Sequence, residues 1–379
     1  ALECQCPACF GHGLEEIRGM PPAQRTALIA RHNLWISKTE LDRVRRAILE
    51  GDLWELVERR CRSHPALLDA LRALERHQGF LEGFEPLSRE HALFYTGPET
   101  LNRPVFLRYQ KRLAERYAHP ATEVGVTFEE AEKPYSRTLR PLIDSILAVS
   151  DAHFHVISPF GPVPIELDET YPISQSLFPA QRDSQTVERT KELMEVLAHT
   201  HRYKMALIWD GDGTLEFLRT FAPGKGTFDI DMARVRAVAD LQFGRGAAAA
   251  LLDGEVSLVK SKNVDRVRNV LVDGEHVLSM RAEDGFFTVR PAGARRLLRG
   301  FPSPRLRVMV QDDAVEFNRQ GKNVFCPFVI DADPDIHPQE EVLVVDKDDA
   351  LVAIGRAQMT RGEMLSFRKG VAVKVREGV

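Results

Sequence analysis

The pattern of apolar residues predicts helices over residues 20–74. Ser37 and Glu40 have the spacing of a capping box, which predicts a helix start at this point. Apolar residues then recur at helical spacing, at Leu41, Val44, Ile48, Leu53, Leu56 and Val57. Ser63 and Pro65 predict the start of a further helix.

The middle of the chain has the pattern of an α/β unit. Residues 153–158 and 205–209 are short apolar stretches typical of strands, and residues 185–199 between them have helical spacing. Two strands joined by one helix fit a βαβ crossover. The proline-rich string from Ser158 to Pro164, which leads to Glu166, is predicted to be a rigid loop because proline fixes φ and removes a donor.

A small α+β pattern follows. Residues 231–252 predict a helix rich in small residues, and Asp273-Gly274 predicts a hairpin turn. Strands are predicted at residues 256–259, 270–272, 277–280 and 305–310, with a helix at 313–320.

The predicted elements indicate a multidomain protein of α/β and α+β class. It comprises a helical metal-binding segment, an α/β middle domain, a small α+β domain and a C-terminal domain. Their predicted bounds are residues 1–78, 79–228, 229–302 and 303–379.

Composition narrows the function classes only slightly. A chain of 379 residues exceeds what one core usually holds, which also favours several domains. Charged residues make up 28% and the net charge is −4, so the average composition does not indicate a nucleic-acid binder. No run of 18 apolar residues occurs and no signal peptide precedes the first cysteine, which predicts a soluble, cytoplasmic protein without a membrane partner.

Three of the five cysteines crowd into six positions near the N-terminus, at Cys4, Cys6 and Cys9. With His32 they make a complete tetrahedral zinc set, which we expect to stabilise the fold because four protein ligands leave no position for water. The alternative is that they are unpaired thiols. His32 is preferred to His12 because it follows an apolar helical turn, whereas His12 lies between glycines.

Residues 4–68, which begin CQCPACFGHG and contain HNLW around His32, resemble the zinc-binding end of archaeosine tRNA-guanine transglycosylase, an archaeal family. The resemblance continues through FLEGFEPLSREHALFYTGPETLNRP at residues 80–104 and returns in LQFGRG at 241–246. It implies a closed zinc site at the end of a TIM-like barrel. It also implies an enzyme that exchanges guanine 15 in the tRNA D-loop for 7-cyano-7-deazaguanine.

In that family the barrel with the aspartate nucleophile lies N-terminal to the zinc ligands, and this sequence starts at Ala1, three positions before Cys4. No catalytic residue is therefore assigned to this chain. The resemblance implies the C-terminal portion of a split or cleaved enzyme, with the barrel supplied by a separate chain. Homo-oligomerisation through the zinc-binding segment is a further expectation.

Residues 303–379 resemble a PUA domain through GKNVF, Asp333-Pro334 and the final GVAVKVR. PUA domains are small pseudobarrels that bind folded RNA, and in this family the domain implies capture of the tRNA acceptor stem. The candidate RNA-binding residues are basic side chains and one glycine-containing loop: Gly321, Lys322, Asn323, Arg356, Arg368, Lys369, Lys374, Arg376, Lys260, Lys262, Arg266 and Arg268. The alternative for each of them is an ordinary surface residue paired with a neighbouring acid.

Two other functions remain open at this stage. The chain is a non-catalytic RNA-binding protein if it has kept the RNA-binding domains without the chemistry. The string Lys133-Pro134-Tyr135-Ser136 resembles part of the motif of archaeosine synthase, which attaches an amine to the inserted base. The cysteine and histidine of that motif are missing, however, and without a thiol the chemistry has no nucleophile.

Overall fold

A computed structural model describes residues 4–129, 131–201, 203–263 and 265–379. The chain divides into two compact units, Ala1–Leu68 and Asp69–Val379. None of the described helices is both long and apolar enough to cross a membrane.

The first unit is helical, as predicted. Its helices are α1 (Leu14–Gly19), α2 (Pro22–Glu50), α3 (Leu53–Cys61) and α4 (Pro65–Ala73), and the boundary with the second unit falls inside α4. Pro22 occupies the first position of α2, where the missing N–H costs nothing. Gly51 ends the helix with φ of 75°, and its N–H donates to the carbonyl oxygens of Ala47 and Ile48.

The capping box predicted at Ser37 and Glu40 is wrong. Both residues lie inside α2, which has already begun at Pro22. A serine in a helix interior does not act as a cap, because the backbone N–H groups there already donate to carbonyl oxygens of the preceding turn. The helix start predicted at Ser63 and Pro65 is confirmed, since α4 begins at Pro65.

The second unit begins with the α/β middle domain. Its helices are α5 (Gln78–Phe84), α6 (Pro104–Glu115), α7 (Tyr135–Thr138), α8 (Arg140–Leu147), α9 (Ser184–His201) and α10 (Asp212–Phe221). Its strands are β1 (Leu93–Phe94), β2 (Val124–Phe128), β3 (His153–Ser158), β4 (Gly161–Pro164), β5 (Ser176–Leu177) and β6 (Met205–Ile208).

The main sheet of this domain has the order β4-β3-β2-β6. Strand β2 is fully buried and pairs in parallel with both β3 and β6. The two strands and the helix predicted from the sequence are therefore confirmed, but β2, which was not predicted, lies between the strands. Strands β1 and β5 pair separately.

The rigid loop predicted at Ser158 to Pro164 is wrong, because the string forms a β-hairpin. Strand β4 pairs antiparallel with β3 at the edge of the sheet, where prolines are tolerated. The Ser158 hydroxyl stabilises the turn, since it donates to the Gly161 carbonyl at 3.0 Å and accepts from the Phe160 N–H at 3.1 Å.

The small α+β part contains an antiparallel sheet and three helices. The elements are α11 (Ile230–Phe243), α12 (Ala247–Leu251), β7 (Val256–Lys260), β8 (Val267–Val272), β9 (Glu275–Met280), β10 (Phe287–Val289) and α13 (Pro291–Gly300), with sheet order β10-β9-β8-β7. The hairpin at Asp273-Gly274 is confirmed, because Val272 pairs with Glu275 and both turn residues have positive φ, 53° and 80°.

One long helix was predicted over residues 231–252, and the structure has two. Helix α11 ends at Phe243 because Gly244 and Gly246 adopt φ of 123° and 93°, which a right-handed helix does not allow. The Asp240 carboxylate accepts the Ala248 N–H at 2.8 Å and fixes the start of α12.

The C-terminal domain is a barrel-like sheet with its own core, as predicted. Its elements are β11 (Arg307–Val310), α14 (Asp312–Arg319), β12 (Val324–Phe325), β13 (Val329–Ala332), β14 (Glu341–Val345), β15 (Leu351–Ala357), α15 (Arg361–Ser366) and β16 (Val371–Gly378). The strand order is β12-β16-β15-β14-β11-β13. A separate larger core joins the middle domain with the small α+β part and reaches Leu343 and Ile354.

Candidate metal centre and RNA-binding surfaces

The structure brings Cys4, Cys6, Cys9 and His32 together. Their four candidate ligand atoms lie within 4.8 Å of one another. His32 Nδ1 is 3.4 Å from the sulfurs of Cys4 and Cys6 and 3.3 Å from that of Cys9. A tetrahedral zinc site has sulfur-to-nitrogen separations of about 3.5 Å, so these four side chains have the spacing of a metal site.

The chain positions these ligands through one tight turn and one long helix. The N–H groups of Cys9 and Phe10 both donate to the Cys6 carbonyl, at 3.0 and 2.9 Å. The Cys9 N–H also lies 3.3 Å from the Cys6 sulfur, an arrangement that favours a thiolate there. Helix α2 supplies His32, while His12 lies elsewhere and pairs with Glu16 at 2.7 Å.

The pKa values of Cys6 and Cys9 differ because two negatively charged sulfurs would repel each other at this short separation. Burial opposes ionisation of Cys6, but hydrogen bonds from His32 and Cys9 outweigh it and lower its pKa to about 6. Burial and the neighbouring sulfurs raise the pKa of Cys9 to about 11. A cation between the sulfurs would offset this repulsion, so the cluster could hold a metal ion.

The loop between α14 and β12 carries three candidate RNA-binding residues. Gly321 has φ of 80°, which lets the chain turn at this point, and the Lys322 side chain is exposed. The side-chain Oδ1 of Asn323 accepts the Val375 N–H at 3.1 Å, so this residue ties the loop to β16. Arg368, Lys369 and Lys374 are exposed.

Two other candidates, Arg356 and Arg376, contact a buried acid. The Glu341 side chain is 1% exposed, and its Oε1 lies 3.4 Å from Arg356 Nε and 2.9 Å from Arg376 Nη1. Arg376 Nη2 also donates to the Val289 carbonyl at 2.7 Å. Arg376 thus links the C-terminal sheet to β10, and the guanidinium groups of both arginines have protein partners.

The basic cluster between β7 and β8 likewise contains both ion-paired and exposed residues. Lys260 Nζ lies 2.6 Å from Asp231 and 3.4 Å from Asp265, and Arg266 Nε lies 2.8 Å from Glu169. The side chains of Lys262 and Arg268 are exposed. Among these four residues, Lys262 and Arg268 are the ones whose charge faces solvent without an ion pair in the described part of the chain.

Sequence reasoning missed a buried polar cluster in the middle domain. Glu166 Oε1 accepts from the Tyr117 hydroxyl at 2.6 Å and lies 3.1 Å from His153 Nε2. Burial opposes ionisation of Glu166, but His153 and Tyr117 outweigh it, so its pKa is lowered. The alternating pattern of His153 and His155 on a buried strand was the available signal.

The string at residues 133–136 is engaged in packing. Lys133 Nζ lies 2.6 Å from the Ile173 carbonyl and 2.8 Å from the Ser176 carbonyl. The Ser136 N–H donates to Asp168 Oδ2 at 2.7 Å, and the Arg234 guanidinium contacts the same carboxylate at 2.9 Å. These contacts anchor the string to the rest of the unit.

Four family models match the chain. "Queuine tRNA-ribosyltransferase" matches residues 1–66, and a domain of unknown function matches residues 106–227. "Patch-forming domain C2 of tRNA-guanine transglycosylase" matches residues 233–304, and the PUA domain matches residues 306–379.

Curated relatives match along the whole chain. A tRNA-guanine(15) transglycosylase of Methanobrevibacter smithii is 35% identical over 100% of this chain and 59% of its own length. One of Methanothermobacter thermautotrophicus is 37% identical over 100% of this chain and 58% of its own length. The chain therefore spans less than two thirds of these relatives.

Among solved structures, a protein of unknown function is 17% identical, with a TM-score of 0.47 over 72% of this chain and 98% of its own.

Proposed function

We propose that this chain is the zinc-containing, tRNA-binding portion of a tRNA-guanine(15) transglycosylase. The chain is homologous over its whole length to such enzymes, which confirms the resemblance seen in its sequence. The enzyme exchanges guanine 15 in the tRNA D-loop for 7-cyano-7-deazaguanine and acts in the cytoplasm. The observation that carries this proposal is the full-length match together with the PUA domain at residues 306–379.

The metal in this proposal is zinc. Three cysteine sulfurs and one imidazole favour zinc over harder cations such as magnesium or calcium, which prefer oxygen ligands. Four protein ligands complete the tetrahedron, so the ion holds the first unit together and leaves no position for a reacting water.

The base exchange itself belongs, in this proposal, to a region outside these 379 residues. A carboxylate nucleophile displaces guanine and forms a covalent bond to the ribose after the nucleotide leaves the stack. The incoming base then displaces the carboxylate. In the family that the sequence resembles, that carboxylate lies on a TIM-like barrel, and we propose that a barrel of this kind acts together with these 379 residues.

Exposed basic residues of the PUA domain form the proposed contact with tRNA. Replacing Lys322 and Lys369 by alanine should each weaken tRNA binding and reduce its salt slope by about 1, because each lysine neutralises one phosphate. The affinity is measured by filter binding at several salt concentrations. Lys347→Ala is the matched control, since Lys347 belongs to the same domain and pairs with Asp312 at 2.7 Å. Equal slopes in all three variants would place the RNA contact elsewhere.

An exchange assay tests the enzymatic part. The chain is mixed with tRNA and labelled guanine, with and without a barrel-bearing chain from the same source. We expect the chain alone to bind tRNA and label to enter the tRNA only when the barrel is present. Binding without exchange under both conditions would support a non-catalytic RNA-binding protein instead. An arm with tRNA that carries 7-cyano-7-deazaguanine and an amine donor tests the amine-transfer alternative.

A further inference from the structure

A cavity of about 270 Å³ opens in the small α+β part, beside β8 and β9. Three arginines, Arg266, Arg268 and Arg281, line it together with Ser261 and Gly285. None of the described residues that line it is aromatic, so they offer no ring on which a base could stack. We call it the Arg281 cavity.

Arg281 is the innermost of the three arginines and is 7% exposed. Its Nε donates to Asp284 Oδ1 at 2.8 Å, and its Nη2 lies 2.7 Å from Asp284 Oδ2. Nη1 and Nη2 both lack a partner in hydrogen-bond geometry in the described part of the chain, and Nη1 is not part of the ion pair with Asp284 either. A buried guanidinium N–H without an acceptor is costly, so this atom indicates a missing acceptor.

The charge around the cavity favours an anion as that acceptor. Glu169 is the acid in the wall, and Arg266 contacts it at 2.8 Å. Arg234 Nη1 lies 3.6 Å and Arg137 Nε 4.0 Å from the same carboxylate, which is therefore shared among three cations. Arg268 on β8 is exposed and makes no ion pair with any described residue. Arg281 pairs with Asp284 and Arg266 with Glu169, so Arg268 is the cavity arginine whose charge has no acid beside it among the described residues.

We propose that the Arg281 cavity binds one backbone phosphate of tRNA. A guanidinium matches a phosphate through two parallel N–H groups, and Arg281 Nη1 with the Arg268 side chain supplies donors from two directions. The inference rests on the proposed function and adds to it a specific phosphate contact in the small α+β part. Of the predicted basic cluster, Arg268 would contact this phosphate. Arg281, which was not among the predicted residues, would contact it too.

Two substitutions test the proposal in the full 379-residue chain. Arg268→Gln removes the exposed cation, and Arg281→Lys keeps the charge beside Asp284 but removes the second nitrogen. Loss of one phosphate contact should weaken tRNA binding about 5–10-fold at 0.1 M salt in each variant, and the salt slope should fall by about 1 in Arg268→Gln but not in Arg281→Lys, which keeps its charge. Arg295→Gln is the matched control, because Arg295 is an exposed arginine on α13 of the same part.

The outcomes separate this inference from the proposed function. A wild-type chain that does not bind tRNA would overturn both. Normal wild-type binding with Arg268→Gln and Arg281→Lys indistinguishable from Arg295→Gln would overturn this inference alone. A parallel arm adds inorganic phosphate and measures the melting temperature. If phosphate raises it in the wild type but not in Arg281→Lys, while tRNA affinity is unchanged, the cavity takes a free anion and the RNA assignment is wrong.

Discussion

Cys9→Ser should abolish zinc binding and unfold the metal-binding part of the first unit. The buried apolar cluster there consists of Cys6, Ala8, Cys9 and Leu28. Two of these residues are metal ligands themselves, and Leu28 belongs to α2. Such a core is too small to order the segment by itself. In zinc-finger peptides a structural zinc contributes about 10–16 kcal/mol, which is far more than this core can replace.

Metal content and local protection measure this effect. Elemental analysis should give one zinc per wild-type chain and none in the variant, and hydrogen exchange should become fast in residues 4–35. Cys61→Ser is the matched control, because Cys61 lies outside the ligand cluster and should leave zinc content and exchange unchanged. Retention of zinc by Cys9→Ser, or an unchanged exchange pattern after its loss, would contradict a structural role for the metal.

The sequence predicted the metal set because its signal is local and chemical. Three cysteines in six positions are rare, and the long apolar spacing of α2 placed His32 on a helix. The capping box at Ser37 failed for the opposite reason. A capping motif has meaning only at a helix end, and the end was fixed earlier by Pro22. Local motifs therefore depend on where the element as a whole begins.

The RNA-binding candidates show what sequence leaves undetermined. Lys322 and Arg356 look alike in the sequence, yet one is exposed and the other lies on buried Glu341. That contact depends on β14 pairing with β15, where Glu341 is directly opposite Arg356. Arg281 was not predicted at all, because its unpaired nitrogen follows from the packing of the sheet and not from any local motif.

Arg234→Met should strongly destabilise the second unit. The Arg234 side chain is 6% exposed, and its Nη2 contacts Asp168 Oδ1 and the Ser136 hydroxyl, both at 2.9 Å. Asp168 is fully buried, and Glu169 lies 3.6 Å from Nη1 with 4% of its side chain exposed. Removing the arginine leaves buried Asp168 without its ion-pair partner, whereas Glu169 keeps Arg266, and loss of one partner of a buried ion pair costs about 3–5 kcal/mol.

The loss of stability in Arg234→Met should depend on pH. Burial raises the pKa of Asp168 even with Arg234 present, so without the arginine the carboxyl should take up a proton more readily. Protonation removes the uncompensated charge. The difference in unfolding free energy between wild type and Arg234→Met should therefore be largest near pH 7 and shrink as the pH falls toward 5.

Urea unfolding followed by pulsed hydrogen exchange in peptides of residues 124–128 and 230–243 measures the second unit without contribution from the first. The matched control is Arg236→Met, two residues along α11, where the side chain is exposed. We expect that control to change the unfolding free energy by no more than about 0.5 kcal/mol. Equal effects of the two substitutions, or a loss at Arg234 that does not shrink at lower pH, would show that the buried carboxylates do not depend on Arg234. The cost would then reflect the packing of α11 and not its charge.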